Sequence, residues 1–194
     1  MSCWAVIPIK APTEGKTRLA ETLDTDARAI LVRAMLRHVV QAAEDAAGIT
    51  RIHLVGPSRH GLPDTLPLLA DPGQGLNAAL TSALNEVTEM GASRALFVAA
   101  DLPTVSAAEL DVLALAPEQS IAIAPDRHGT GTNALSLPLP AARDFSFHFG
   151  PDSLARHCKE AERLGLGIEM VHSLGLARDI DEPADLPDAA GLLE

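Results

Sequence analysis

Three basic side chains, Lys10, Lys16 and Arg18, stand in one short segment whose only carboxylate is Glu14. The chain has three lysines in all, and two are here, although its formal net charge is −11. Positive charge concentrated against that background suits a polyphosphate. Gly15-Lys16-Thr17 invites comparison with a P-loop, but that motif needs glycine where Lys10 stands, and Pro12 removes an amide from the cradle. The segment therefore reads as a set of side-chain cations, not a backbone phosphate cradle.

Carboxylates supply the opposite charge. Asp101 follows the apolar run 95–100, so it belongs at the tip of a buried strand; Ser106 is the better-placed cap for the helix that comes next. Asp179 and Asp181 flank Ile180, and in an extended chain they point to the same side. Paired carboxylates of this kind suit Mg²⁺, which takes a few of them and completes its shell with phosphate oxygens and water. Asp24-Thr25-Asp26 has the same spacing but is assigned to helix capping. Asp101, Asp179 and Asp181, set against Lys10, Lys16 and Arg18, make a metal–triphosphate site coherent.

Three loops add neutral donors. Gly73 and Gly75, with Asn77, open a helix and let backbone amides approach an anion or a base edge. The segment 126–133 offers hydroxyls and amides, among them Thr132. Gly150 and Ser153 open another helix and could hold a second anion. The seven histidines show no metal-ligand spacing. His38 and His53 read as structural, and only His128 and His148 adjoin candidate loops. No nucleophile elbow occurs, so covalent catalysis has no visible carrier.

These loops need strands and helices to hold them. Apolar runs at 3–9, 51–56, 66–70, 94–100, 120–124, 133–137 and 167–172 read as strands. Helical periodicity covers 26–47, 76–90, a stretch from about Ser106, 151–164 and 183–193. Strands alternating with helices of that length give an α/β fold, a single-domain mostly parallel sheet with helices on both faces. In such sheets ligands collect at the carboxyl ends of the strands, where the candidate loops lie.

Composition excludes other classes. At 194 residues, with 47% hydrophobic and 21% charged, the chain fits one domain spanning 1–194. Its acidity argues against nucleic acid and anionic membranes as partners. No apolar run reaches the roughly 18 residues of a membrane span, and the expected location is cytoplasmic. Cys3 and Cys158 are expected to be free thiols.

With these segments in order, the sequence resembles the guanylyltransferases of coenzyme F-420 biosynthesis, which act on 2-phospho-L-lactate, phosphoenolpyruvate or 3-phospho-D-glycerate. The likeness runs from Pro8-Ile-Lys10 through Gly15-Lys-Thr-Arg-Leu19, Gly75-Leu-Asn77, Ala100-Asp-Leu-Pro103, Gly129-Thr-Gly-Thr-Asn133 and Phe149-Gly-Pro-Asp-Ser153 to Asp179-Ile-Asp181. Each piece is short, but all in this order are specific. The resemblance implies a nucleotide-diphospho-sugar-transferase-like fold, GTP and Mg²⁺ as requirements, a homodimer in many members, and a downstream transferase that receives an unstable product. By position it makes Thr132, Gly150 and Ser153 acceptor-binding residues and Asp101 and Asp179 metal ligands. The spacer 133–147 is slightly longer than the family pattern.

Two alternatives share part of this reading. A molybdenum-cofactor or sugar-1-phosphate nucleotidyltransferase would have the fold but a first loop rich in Gly-Gly, where this chain has Gly15 alone. A non-catalytic nucleotide-binding module would have no reason to keep both Asp101 and Asp179. Among the three acids, only 3-phospho-D-glycerate has a free hydroxyl, which His128 or His148 could receive. That makes it the expected acceptor, with phosphoenolpyruvate next.

Overall fold

The computed structural model describes residues 2–9 and 16–192, so Lys10 and Gly15 lie outside the described residues. Strand β1 (Cys3–Pro8) is the continuous apolar run CWAVIP, buried over its first five residues. It lies between two parallel partners, β2 (Ile49–Val55) and β4 (Arg94–Val98), with Ile7 opposite Leu54 and Val6 opposite Phe97. A strand paired on both edges and covered on both faces needs apolar side chains at every position, which explains the lack of alternation.

The remaining strands are β3 (Leu68–Leu69), β5 (Ser120–Pro125), β6 (Thr132–Pro138) and β7 (Gly167–Met170), and they complete one sheet of order β3-β2-β1-β4-β6-β5-β7. Every pairing is parallel except those of β6, which runs antiparallel to both β4 and β5. The sheet is thus mostly parallel, as expected, with one reversed strand. That reversal matters for the site, because it brings the start of β6 to the edge where β1 and β4 end. There the amide of Ala99 donates to the carbonyl of Asn133 at 2.9 Å.

Helices cover both faces. On one side α1 (Thr25–Asp45) and α3 (Ala107–Ala114) pack Leu36, Val39, Leu110 and Leu113 against Ala5 and Ile7. On the other, α2 (Leu76–Glu89) and α4 (Ser153–Arg163) pack Leu80, Leu84 and Ala161 against Trp4 and Val6. Successive residues of β1 therefore serve opposite cores, as the two-residue period of a strand requires. A third cluster of Leu19, Leu31, Met35, Ile180 and Ala189 draws the C-terminal segment against α1 and the chain after Lys16. This cluster brings residues distant in sequence to one site.

Several expectations are corrected. Pro183–Leu192 forms a 3-10 helix, with Pro187 inside it, where an α-helix was expected. Proline has no amide to donate and its ring crowds the preceding turn, so an α-helix does not propagate there. A short α5 (Leu174–Ala177), capped by Ser173, lies just before Asp179 and was not anticipated. Strand β4 stops at Val98, so Asp101 sits in the turn beyond the strand, with Ala99 and Ala100 between them. Ser106 caps α3 with a full capping box to Glu109, leaving Asp101 free of that duty as expected. Cys3 and Cys158 are free thiols, and no helix among the described residues is long and apolar enough to cross a membrane.

Candidate active site

One cleft of about 920 Å³ opens at the carboxyl ends of β1 and β4. Lys16, Arg18, Gly73, Gly75, Asp101, Thr132, Gly150, Ser153, Asp179 and Asp181 all line it. Residues from every candidate loop thus share a single cavity. Asn77 does not line the cleft: its side-chain nitrogen donates to the carbonyl of Phe149 at 3.1 Å, and its oxygen accepts from the Phe149 amide at 2.8 Å. Expected to contact the nucleotide, Asn77 instead clamps the chain that leads into Gly150.

Charge is organised around Lys16. Its Nζ donates to Asp101 Oδ2 at 2.5 Å and to Asp181 Oδ1 at 3.0 Å, and its side chain is only 8% exposed. Burial works to lower its pKa, but the two carboxylates outweigh that and hold it above the ordinary lysine range. The backbone of Lys16 lies in the left-handed region at φ 57°, a conformation that costs a non-glycine residue energy and is concentrated at functional sites. Arg18 is exposed and reaches Glu182 at 3.6 Å.

Asp179 differs from its neighbours. It is half-buried, and its carboxylate accepts a 3.3 Å hydrogen bond from Asn133 Nδ2, but no cation pairs with it among the described residues. Burial, then the charges of Asp101 and Asp181, push its pKa up. The opposite holds for Asp181, where burial is outweighed by Lys16 and the pKa falls.

Residues that the sequence reading did not single out hold this acidic segment. Asn133 Nδ2 also donates to the carbonyl of Leu176 at 2.9 Å, joining β6 to α5. Arg127 donates to the carbonyl of Asp179 at 3.1 Å and pairs with Asp185 at 2.6 Å. Asp185 is buried and accepts the amides of Asp181 and Glu182, both at 2.8 Å. Burial opposes ionisation of Asp185, but Arg127 and the two amides prevail and bring its pKa down to about 2.

A depressed carboxyl pKa stabilises the fold above the unfolded value of 3.8, and that stabilisation is lost as pH falls toward about 2. Arg127→Met should therefore flatten this acid limb in a pH series of denaturant melts. It should also cost about 2 kcal/mol at neutral pH, because Asp185 is left buried with fewer donors. An unchanged acid limb would mean the ion pair does not form.

The helix ends distinguish the site from the rest of the fold. α1, α3 and α5 are each capped by a side chain, Asp24, Ser106 and Ser173. α2 and α4, which open onto the cleft, have none. Gly75 precedes α2 at φ 88° and leaves its first turn without a side-chain partner, a natural place for an anion. α4 is instead tied down by Leu154, whose amide donates to the carbonyl of Thr130 at 3.1 Å. This fixes Ser153, buried at 2% exposure, beside Thr132 and Gly150.

His38 and His53 are structural, as expected: His38 Nε2 meets the carbonyl of Val105 at 2.8 Å, and His53 stacks on Trp4. Neither His128 nor His148 lines the cleft, so the basis for expecting 3-phospho-D-glycerate is not supported. His157, which the sequence reading left aside, is fully buried and bonded to Thr132 at 3.0 Å.

Among the described residues, no group of three His, Cys, Asp or Glu side chains could hold a metal ion on protein ligands alone. Magnesium does not require one, since it is ordinarily held by one or two carboxylates with substrate phosphates and water completing an octahedron. Asp101 and Asp179 offer hard oxygen donors of that kind, with Asp179 lacking a cation. Asp181, expected beside them as a ligand, shares Lys16 with Asp101: each has one oxygen on that ammonium.

A sheet covered on both faces, with a lysine–carboxylate cluster and an uncapped helix start at its carboxyl edge, defines a nucleotidyltransferase-like α/β protein. Solved structures agree on the fold. A protein of Desulfovibrio desulfuricans G20 assigned to the nucleotide-diphospho-sugar transferases superposes with a TM-score of 0.75 at 20% identity, covering 96% of this chain and 85% of that one. A CMP:2-keto-3-deoxy-manno-octonic acid synthetase, solved with CTP, superposes at 0.67 with 12% identity over 100% and 98%.

The chain belongs to the guanylyl transferase CofC-like family, whose model matches residues 3–190. Among curated relatives, the phosphoenolpyruvate guanylyltransferase of Sphaerobacter thermophilus is 41% identical over 98% of this chain and 94% of its own length. That of Chloroflexus aurantiacus is 39% identical over 91% and 89%. The 2-phospho-L-lactate guanylyltransferase of Halorubrum lacusprofundi is 36% identical over 89% and 77%. The family is one of guanylyltransferases, that is, GTP-using nucleotidyltransferases.

Proposed function

We propose that this chain transfers GMP from GTP to the phosphate of phosphoenolpyruvate, releasing pyrophosphate, as a step of coenzyme F-420 biosynthesis. The observation that carries this reading is a single cleft lined by two chemically distinct sets of residues. Lys16, Asp101, Asp179 and Asp181 form a charged group suited to a metal-bound triphosphate. Thr132, Gly150 and Ser153 supply hydroxyls and approachable backbone suited to a small anion. The names of the relatives support phosphoenolpyruvate as the acceptor, with 2-phospho-L-lactate as the second candidate.

In this reaction an oxygen of the acceptor phosphate forms a bond to the α-phosphorus of GTP, and the bond from that phosphorus to the β-phosphate oxygen breaks. The acceptor phosphate is ionised near neutral pH and needs no general base, consistent with a cleft in which no histidine is found among the described lining residues. Positioning and charge neutralisation therefore carry the rate enhancement. Lys16 and Arg18 orient the triphosphate, and the start of α2 at Gly75 offers amides to the nucleotide. Asp101 and Asp179 would hold Mg²⁺, which when bound neutralises phosphate oxygens. Thr132 and Ser153 hold the acceptor against the α-phosphate.

The test is a panel of GTP, Mg²⁺ and the three acids at equal concentration, read by pyrophosphate release and product mass. Phosphoenolpyruvate should be the preferred acceptor. Preference for either other acid would reassign the acceptor, and no pyrophosphate with any of them would end the guanylyltransferase reading of this chain.

A further inference from the structure

His157 touches neither the acidic cluster nor the cleft surface, yet both of its ring nitrogens are engaged. The backbone nitrogen of His148 lies 3.0 Å from Nε2, and Thr132 Oγ1 lies 3.0 Å from Nδ1. A backbone amide can only donate, so Nε2 is the bare, accepting nitrogen. A neutral imidazole carries its one proton on the other nitrogen, so Nδ1–H donates to Thr132 Oγ1. A hydroxyl oxygen that has accepted a hydrogen bond still has its own proton to give.

We propose that His157 is a positioning residue that fixes Thr132 as a hydrogen-bond donor to the anionic acceptor. This rests on the acceptor pocket described above. The other tautomer would withdraw the Thr132 proton onto Nδ1 and aim an oxygen lone pair at a carboxylate or phosphate, which repels it. Burial, and then the neighbouring His148, hold His157 in the neutral form down to about pH 4, against the smaller opposing pull of Glu160. The ring sits in an aromatic nest, edge-on to Phe149 at 4.8 Å and tilted against Phe145 at 5.8 Å, and turning it over would put carbons in place of both bonded nitrogens and break both hydrogen bonds. The same side chain also joins β6 to the segment leading into Gly150, keeping the two walls of the acceptor pocket in register.

Ring-nitrogen NMR of the ¹⁵N-labelled protein without substrates tests the tautomer directly. His157 should show a protonated Nδ1 and a bare Nε2 at neutral pH; a protonated Nε2 would overturn the proposal. Steady-state kinetics test the consequence. Thr132→Val and His157→Gln should each raise the acceptor KM about tenfold, the value of one hydrogen bond, with the GTP KM moving by less than about twofold. The double variant should be no worse than either alone, because both remove the same donor. His157→Asn, whose amide nitrogen can stand near Nδ1, should retain most of the acceptor affinity. Additive losses, or equal rises in both KM values, would show packing alone and overturn the assignment. A wild-type enzyme that uses none of the three acids would end the functional reading and the acceptor role of Thr132 together, whereas the ring spectrum decides the tautomer independently.

Discussion

Asp179→Asn is expected to raise the melting temperature while lowering turnover by about a hundredfold or more. The two effects have one origin. Asp179 is half-buried, has a single 3.3 Å side-chain hydrogen bond from Asn133, and stands beside Asp101 and Asp181, whose charges disfavour its ionisation. Lys16 is committed to those two neighbours. Without a bound cation, the fold therefore carries an uncompensated charge. Asparagine keeps an oxygen for Asn133 and removes the charge, relieving about 1 kcal/mol, or about 2–4 °C in a chain of this size. It also removes the donor that a metal–triphosphate complex needs, and a stabilising change that costs activity is a common outcome at a functional site. Calorimetry and pyrophosphate release on the same preparation check both halves. A lower melting temperature would make Asp179 a structural residue, and unchanged turnover would place the metal elsewhere.

The contrast between Asp179 and Asp185 shows what a sequence can and cannot display. The pair Asp179–Asp181 is visible because spacing alone puts both carboxylates on one side of an extended segment. Their support is not visible: Arg127 lies 52 residues before Asp179, in the loop after β5, and Asp185 reads as one more acidic residue near a helix start, with nothing in the spacing to show that its carboxylate takes the amides of Asp181 and Glu182. The buried strands were legible because their apolar runs are unbroken, and α1 and α2 because their periodicity is long. Four-residue α5 is too short to carry a period. Asn77 had the right position but the wrong inferred task, since an asparagine at a helix start looks the same whether it meets a base or a backbone. His157 was overlooked for a related reason: its partners, Thr132 and His148, meet it through tertiary packing rather than at any spacing along the chain.

Lys16→Met should produce a comparable loss of turnover, about a hundredfold, but with the opposite effect on stability. The lysine ammonium is nearly buried and bridges Asp101 and Asp181, so its removal leaves Asp101, Asp179 and Asp181 facing one another without a cation. Because Asp101 and Asp181 remain 30% and 52% exposed, water relieves part of that repulsion, and the cost should be about 1–2 kcal/mol. A second change separates the structural from the chemical contribution. Adding Asp181→Asn to Lys16→Met removes one of the stranded charges and should recover much of the lost stability, measured as a denaturant midpoint. It should not recover turnover, because a positive charge directed at the triphosphate acts on the transition state and a neutral amide cannot replace it. Recovery of both together would mean that Lys16 serves only to hold the carboxylates apart, and the phosphate-binding role would pass to Arg18.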